Sequence, residues 1–199
     1  MADWDADSPQ LRQNLTEVLR DVRDRALRRE VPSLKDARRW HRDTMAGLQV
    51  PDPKYVGRFR GEPGLETTRV WVGPHEGAPP DKVAEELRAF ERTLQRAIGA
   101  LDARYPHGRE IDKDGLAAVV DLCAWAHAEW VRIHPFANGN GRTARILANA
   151  LLMRYGVPPA IRLRPRPDDS YGRAADAAMK GDWRPTAKVF RRMLCQPLT

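Results

Sequence analysis

The segment from about Asp114 to Ile133 constrains the fold of this chain most, because it is apolar on nearly every side. Its apolar side chains do not form a single stripe, and they include Leu116, Ala117, Val119, Val120, Leu122, Cys123, Trp125 and Ala126. A helix that is hydrophobic all round is buried in the interior of a protein. The segment therefore predicts a central helix against which the other elements pack.

The sequence on either side of this segment predicts further helices. An apolar residue recurs every three or four positions from Val83 to Leu101, which is the spacing of one helix face. A Ser-Pro pair at residues 8–9 and a capping-box pattern at Ser33 and Asp36 indicate two helix starts. The predicted helices cover about 8–30, 33–46, 83–101, 142–155, 170–180 and 185–194.

Glycines and prolines interrupt the helical pattern between Pro51 and Pro80. Two short strand-like runs lie there, Gly57–Arg60 and Thr67–Val72, and the sequence Gly-Glu-Pro-Gly at 61–64 separates them. Such a pattern predicts a small β-hairpin with a turn at 61–64. We therefore predict one all-α domain, a compact helical bundle that carries a small β-hairpin.

The composition argues against several classes of protein. Hydrophobic residues make up 42% and charged residues 31% of the 199 residues, which indicates a globular protein, and no run approaches the roughly 20 apolar residues of a membrane span. The net charge is +7, but acids and bases alternate, as at 20–25, which is typical of solvated helix faces and argues against nucleic-acid binding. The N-terminus lacks a secretory hydrophobic segment and the two cysteines form no CxxC pair, so a cytoplasmic location is expected.

One segment carries the residues expected of a catalytic site, and from His134 to Arg145 it reads H-P-F-A-N-G-N-G-R-T-A-R. Gly139 and Gly141 can adopt backbone angles that other residues avoid, so consecutive N–H groups can point to one side of the loop. Such a loop at a helix N-terminus binds anions. Arg142 and Arg145 lie one helical turn apart, and their planar guanidinium groups suit phosphate oxygens.

His134 is the ionisable side chain of this segment that can take a proton from a hydroxyl at neutral pH. A phosphate cradle beside a base is the minimum that phosphoryl or nucleotidyl transfer requires. Taken singly, His134 could be a helix-end residue bonded to a carbonyl, and Arg142 and Arg145 could be ordinary surface charges. So many chemistry-bearing residues in one short segment favour the functional interpretation.

The segment resembles the signature of the Fic family, H-P-F-x-(D/E)-G-N-G-R-x-x-R, at every position except Asn138. Weaker similarity lies outside it, at Trp40-His41, Gly57–Arg60, Pro79-Pro80, Tyr171 and Gly181-Asp182-Trp183. The resemblance implies a compact Fic-type helical bundle with a β-hairpin flap. It also implies a division into an N-terminal helical extension at 1–34, a Fic domain at 35–190, and the end of the last helix with a tail at 191–199.

The resemblance further implies a protein adenylyltransferase, which moves AMP or another NMP from ATP or another NTP to a Ser, Thr or Tyr hydroxyl of a target protein. His134 would be the catalytic base, and Mg²⁺ would bridge the phosphates. The nucleotide phosphates would be bound by Gly139, Asn140, Gly141, Arg142 and Arg145. The flap would hold the target by strand addition, with Arg69, Val70, Trp71 and Val72.

Asn138 stands where the family usually has Asp or Glu as a metal-binding residue. Asparagine keeps an oxygen of similar reach but loses the charge, so weak and atypical Mg²⁺ binding is expected. Two alternatives to adenylyl transfer remain open: a Doc-like kinase toxin that passes the γ-phosphate, and a catalytically weak nucleotide-binding module. The kinase branch resembles a shorter motif with lysine before the first arginine, where this chain has Gly141, which favours nucleotidyl transfer.

Many Fic proteins resemble one another in carrying an inhibitory helix, (S/T)-x-x-x-E-(G/N), whose glutamate pairs with the second arginine of the motif. In this chain only Glu76-Gly77 fits the second half of the pattern, and Val72 stands where Ser or Thr is required. No internal partner of this kind is therefore expected for Arg145. Either the enzyme is constitutively active and toxin-like, or a separate antitoxin supplies the glutamate.

Overall fold

The computed structural model describes residues 8–163 and 169–195, and within these ranges seven α-helices surround one hydrophobic core. The helices are α1 (Pro9–Leu27), α2 (Leu34–Met45), α3 (Pro80–Arg104), α4 (Lys113–Ile133), α5 (Asn140–Arg154), α6 (Asp169–Met179) and α7 (Arg184–Leu194). A short 3-10 helix spans Pro53–Tyr55, and strands β1 (Trp71–Val72) and β2 (His75–Glu76) form an antiparallel hairpin. No helix in the described part of the chain has both the length and the apolar composition that crossing a bilayer requires.

The predicted helix starts are confirmed by their capping contacts. The Ser8 hydroxyl accepts a hydrogen bond from the Leu11 N–H at 3.1 Å, and Ser33 and Asp36 form a reciprocal capping box at the start of α2. The boundaries differ by a few residues from those predicted. The difference that matters is in α5, which begins at Asn140 rather than about Arg142, so that Gly141 lies inside the helix.

The central helix is α4, as its apolar sequence predicts. It packs against α3, α5, α6 and α7, and Trp130 and Ile133 near its end are fully buried. The next helix, α5, is buried along almost its whole length and also contacts α1 and α2. The loop at 134–139 therefore joins two helices that are both fixed in the core, which holds its residues in place at both ends.

The hairpin is present, but the predicted strand pairing is wrong. Trp71 pairs with Glu76 and Val72 with His75, around a turn at Gly73, where φ is +57°. Residues 57–60 are not a strand, because this segment packs inward: Phe59 is buried, and the Arg60 N–H donates to the Pro135 carbonyl at 2.8 Å. The Gly-Pro pair at 73–74 forms the turn instead of the predicted Gly-Glu-Pro-Gly at 61–64.

Candidate active site

His134 lies where the central helix ends. It is the C-terminal cap of α4 and has left-handed backbone angles, φ 53° and ψ 56°. For a residue other than glycine this conformation costs about 1–2 kcal/mol. Its N–H still donates to the Trp130 carbonyl at 2.9 Å, so the last turn of the helix is complete. The backbone strain at His134 is therefore held by the packing of α4, a common feature of functional sites.

The contacts of the His134 ring determine which nitrogen can act as a base. Nδ1 lies 3.0 Å from the Val131 carbonyl oxygen, which can only accept a hydrogen bond, so Nδ1 carries the proton. The lone pair of the neutral ring is then on Nε2. Burial lowers the pKa of His134 to about 4, opposed by the hydrogen bond to Val131, and the Arg60 charge lowers it further. The ring is therefore neutral at pH 7 and able to accept a proton.

The loop after His134 is closed by the side chain of Asn140. Its amide group donates to the Phe136 carbonyl and accepts from the Phe136 N–H, both at 2.8 Å. The Phe136 ring is fully buried and stacks on His41 of α2, with ring centroids 3.9 Å apart. Asn140, predicted to line an anion hole, thus uses its side chain within the loop, which leaves its backbone N–H at the start of α5 as the group that could bind a phosphate.

His41 links α2 to the same loop. Its Nε2 donates to the Asn138 carbonyl and its Nδ1 accepts from the Gly57 N–H, both at 3.0 Å. Burial lowers the pKa of His41 to about 4; its hydrogen bond to Asn138 opposes the shift and the Arg142 charge adds to it. A neutral His41 makes both hydrogen bonds, whereas a protonated ring would lose the acceptor for Gly57. His41 thus holds the loop through the Asn138 carbonyl and connects it to the segment at Gly57.

The start of α5 has the features of an anion-binding site. Gly139, its N-cap, has φ +75°, a left-handed conformation that favours glycine, and a Cβ there would also lie 3.2 Å from the His41 ring. The positive end of the helix dipole is at this terminus. Gly141 differs from its prediction, because it has helical rather than special backbone angles. Its lack of a Cβ instead leaves room for Arg145, whose Nη1 would be 3.3 Å from such an atom.

The two arginines of the motif are buried in the first turns of α5, with 3% exposure for Arg142 and 5% for Arg145. Arg142 Nη2 lies 3.8 Å from the Met45 sulfur on α2. Arg145 donates from Nη1 to the Tyr171 hydroxyl at 2.9 Å and from Nη2 to the Leu163 carbonyl at 3.2 Å. Their guanidinium groups thus contact different neighbours, Met45 for Arg142 and Tyr171 and Leu163 for Arg145.

Tyr171 of α6 continues the contacts of Arg145 into the core. Its hydroxyl also lies 2.7 Å from Nε2 of His127, which is buried on α4. Burial lowers the pKa of His127 to about 3, and the Arg145 charge adds to the shift, so His127 is neutral and shares a hydrogen bond with the Tyr171 hydroxyl. Three helices therefore fix the guanidinium group of Arg145.

Asn138 is the residue that the family resemblance assigns to a metal. Its Oδ1 accepts a hydrogen bond from the Gly139 N–H at 2.6 Å. Among the described residues, no cluster of three or more His, Cys, Asp or Glu side chains is placed to hold a metal ion. Because Mg²⁺ takes oxygen ligands and commonly keeps waters and substrate phosphates, these residues fit an ion that arrives with a nucleotide and not a resident one.

The hairpin lies beside His134. Arg69 donates twice to the Glu76 carboxylate, at 2.5 and 2.8 Å, and the Val70 carbonyl accepts from the Gly77 N–H at 3.0 Å. Trp71 is 58% exposed, one of few large apolar side chains with such exposure in the described part of the chain. The residues predicted to form the flap thus include β1 and present an exposed aromatic ring on the hairpin.

A comparison with protein families identifies this arrangement. The Fic/DOC family profile matches residues 31–152, more than half of the chain. The chain belongs to the Fic/DOC family. The matched region contains the flap, the loop at 134–139 and α5 up to Leu152.

Curated relatives extend the similarity. Two proteins, each named protein adenylyltransferase Fic, are 34% identical over 142 residues in Nematostella vectensis and 33% identical over 158 residues in Drosophila persimilis. The alignments cover 70% and 79% of this chain but only 28% and 26% of those relatives. This chain thus spans about a quarter of the length of the curated relatives that it matches.

A solved structure confirms the fold. Fic-1 of C. elegans is 26% identical and superposes with a TM-score of 0.64, covering 91% of this chain and 47% of that chain. The predicted Fic-type helical bundle with a small β-hairpin is thus confirmed.

Three residues outside the motif contact the candidate site: His41, Arg60 and Tyr171. The sequence showed each as part of a weak similarity to the family, but gave none of them a role. Their contacts with the loop or with α5 join residues that are 26 to 97 positions apart. Neither periodicity nor spacing along the chain indicates contacts at such separations.

Proposed function

We propose that this Fic-family chain is a protein adenylyltransferase, which transfers AMP from ATP to a Ser, Thr or Tyr hydroxyl of a target protein. One observation carries the proposal: His134 has its Nδ1 proton fixed on the Val131 carbonyl, so Nε2 is left as a base beside the N-terminus of α5. The curated relatives that bear the name protein adenylyltransferase Fic support it at about one third sequence identity.

The proposed reaction assigns one task to each group. Nε2 of His134 takes the proton of the target hydroxyl as its oxygen attacks the α-phosphorus. The new P–O bond forms while the bond from the α-phosphorus to the bridging oxygen breaks, and pyrophosphate leaves. Gly139 shapes the turn at the start of α5, the backbone N–H groups of Asn140 and Gly141 stabilise the phosphate oxygens, and Arg142 and Arg145 bind the β- and γ-phosphates.

The metal belongs to the proposal and would arrive with the nucleotide. Bound Mg²⁺ would neutralise charge on the departing pyrophosphate. Asn138 would hold it through Oδ1, weakly, because an amide oxygen carries no full charge and this one already accepts a hydrogen bond from Gly139. The position of Asn138 between the base and the start of α5 is the reason for assigning it this role.

The target would bind as an added strand along β1. The exposed ring of Trp71 offers an apolar contact next to the strand, and the Arg69–Glu76 pair braces the hairpin that presents it. We propose that Arg69, Val70, Trp71 and Val72 form this docking edge and leave the target hydroxyl near Nε2 of His134.

Regulation and setting complete the proposal. Within the described residues Arg145 forms no salt bridge with a carboxylate, and a separate antitoxin would supply the glutamate that pairs with it. We further propose residues 35–190 as the Fic domain, 1–34 as an N-terminal extension and 191–199 as a tail, with a cytoplasmic location and a protein rather than a nucleic acid as partner.

A labelled-nucleotide experiment tests the function. The protein and its His134→Ala variant are incubated separately with cell lysate and ATP labelled at the α- or the γ-phosphate. Adenylyl transfer retains the α-label on protein in the wild-type sample alone. Retention of the γ-label only would indicate a Doc-like kinase. Retention of neither label would indicate a nucleotide-binding module with little catalytic activity. The hydrogen bond that Asn138 Oδ1 already accepts from Gly139 favours this second alternative.

A further inference from the structure

Arg60 is a buried cation outside the motif. Its side chain is 1% exposed, and among the described residues no carboxylate forms a salt bridge with it. Its guanidinium donates instead to main-chain carbonyls: Nε to His134 at 2.8 Å, Nη1 to Thr68 at 3.1 Å, and Nη2 to Ala78 at 2.8 Å and Ile133 at 3.0 Å. A buried charge is unfavourable unless its donors are satisfied, and here four of the five N–H groups are used.

These carbonyls belong to two parts of the molecule. Ile133 and His134 lie at the end of α4, where the last carbonyls of a helix lack intrahelical donors and the dipole is negative. Thr68 and Ala78 lie on either side of the β-hairpin, one before β1 and one after β2. A single rigid guanidinium fork therefore connects both ends of the flap to the main chain of the catalytic base.

Backbone contacts tighten the same junction. The Arg60 N–H donates to the Pro135 carbonyl at 2.8 Å, and the Ala78 N–H donates to the Ile133 carbonyl at 3.1 Å. Gly77 packs so closely that a Cβ there would lie 2.7 Å from the Cβ of His134. The end of the flap at Gly77 is thus in direct contact with His134, and Arg60 donates hydrogen bonds to the main chain of both segments.

We propose that Arg60 is a positioning residue that fixes the flap relative to His134, and so sets where a target strand docked on β1 places its hydroxyl. The inference rests on the proposed function, because it concerns the same transfer reaction. It separates two demands of the site: nucleotide binding depends on α5, whereas target alignment depends on the Arg60 junction. Loss of the junction should therefore impair use of the target far more than binding of ATP.

Arg60→Lys keeps the charge but cannot reach all four carbonyls at once. The matched control is Arg154→Lys, since Arg154 is also buried, at 4% exposure, but pairs with Asp102 of α3 away from the flap. We expect Arg60→Lys to lower kcat/KM for the target by about 10- to 100-fold, with the KM for ATP changed less than about twofold. Arg154→Lys should change neither value, even if it lowers the melting temperature as much.

Amide hydrogen exchange tests the junction without reference to activity. Arg60→Lys should speed exchange at residues 68–78, including the Ala78 amide, while Arg154→Lys leaves this segment as in the wild type. Equal exchange of the segment in both variants would overturn the inference, as would equal losses in ATP and target kinetics. If the wild type transfers no nucleotide, the proposed function fails, and the exchange comparison alone decides on the junction.

A second variant approaches the junction from the flap and serves if Arg60→Lys does not fold. Gly77→Ala retains Arg60 but forces the flap away from His134, and Gly99→Ala on α3, with nothing within 4 Å of the new methyl group, is its control. We expect the same selective loss of target kcat/KM and faster exchange at 68–78 with Gly77→Ala only. Target kinetics and exchange equal to those of the control would contradict the inference.

Discussion

The His134 ring has a fixed tautomer and a buried environment, which together determine its titration. Its pKa lies near 4 because burial penalises the charged form, with the Arg60 charge as a further contribution. An unperturbed histidine titrates near 6.5. The neutral base therefore persists as the pH falls from 6.5, and is lost only as the pH passes through the lowered pKa.

We predict that His134 in the nucleotide-free protein titrates near pH 4. The measurement is a pH series of the histidine Cε1–H resonances by NMR, with His134→Ala to assign the signal and tryptophan fluorescence to follow unfolding. In the same protein at pH 5.5, nearly all of His134 should be neutral, against about a tenth for an unshifted histidine. A midpoint near 6.5 in the folded protein would refute the burial of the ring as described.

Asn138 leads to a prediction about the metal. In Asn138→Asp one carboxylate oxygen can still accept the Gly139 N–H, while the second oxygen and the added charge become available to Mg²⁺. We expect the Mg²⁺ concentration for half-maximal transfer to fall by about 10-fold, which corresponds to roughly 1.4 kcal/mol. The measurement is transfer rate against Mg²⁺ for both proteins, with Asn138→Ala as control. An unchanged or weakened Mg²⁺ dependence would show that residue 138 does not contact the metal.

At the scale of elements, α6 supports α5 through Tyr171. We predict that Tyr171→Phe, which removes one of the two hydrogen-bond acceptors of Arg145, raises the KM for ATP by about 3- to 10-fold, the range expected for one hydrogen bond. The control is Tyr155→Phe, whose hydroxyl bonds to Asp102 away from the motif. Steady-state kinetics at varied ATP measure both variants. Equal ATP kinetics for the wild type and Tyr171→Phe would mean that Tyr171 does not orient Arg145.

The elements also differ in how far the sequence predicts them. Helix starts follow from local chemistry, as at Ser33 and Asp36, and the buried α4 follows from its composition. The prediction of the hairpin pairing was wrong. The choice between a turn at 61–64 and a turn at 73–74 depends on what residues 57–60 contact. Those contacts, of Phe59 with Phe136 and of Arg60 with the end of α4, join distant parts of the chain, so no local pattern encodes them.

In the candidate site, too, the sequence predicts what is local and misses what depends on the folded chain. The motif places His134, Gly139, Arg142 and Arg145 on one loop and helix start, and the structure has them there. The sequence did not predict that Asn140 closes the loop onto Phe136. That role depends on the bend of the loop, which is a property of the folded chain and not of the spacing of its residues.

For the molecule as a whole, the question is what restrains the site. The described residues supply no carboxylate partner for Arg145, whose guanidinium is held by Tyr171 and the Leu163 carbonyl. We predict that expression of the wild-type chain in a bacterial host arrests growth, while His134→Ala does not. Growth curves of the two strains, at matched protein levels, measure this. Equal growth would contradict an uninhibited toxin-like enzyme and favour low basal activity from weak metal binding at Asn138.

The most direct test of the central claim, that His134 is the base of adenylyl transfer, is mass spectrometry of modified peptides. Wild type and His134→Ala are each incubated with ATP, Mg²⁺ and cell lysate, after thermal melts establish equal stability. We predict AMP adducts on Ser, Thr or Tyr of target proteins or of the chain itself with the wild type, and none with the variant. Equal adducts from both proteins, phosphate additions alone, or no adduct from the wild type would contradict it.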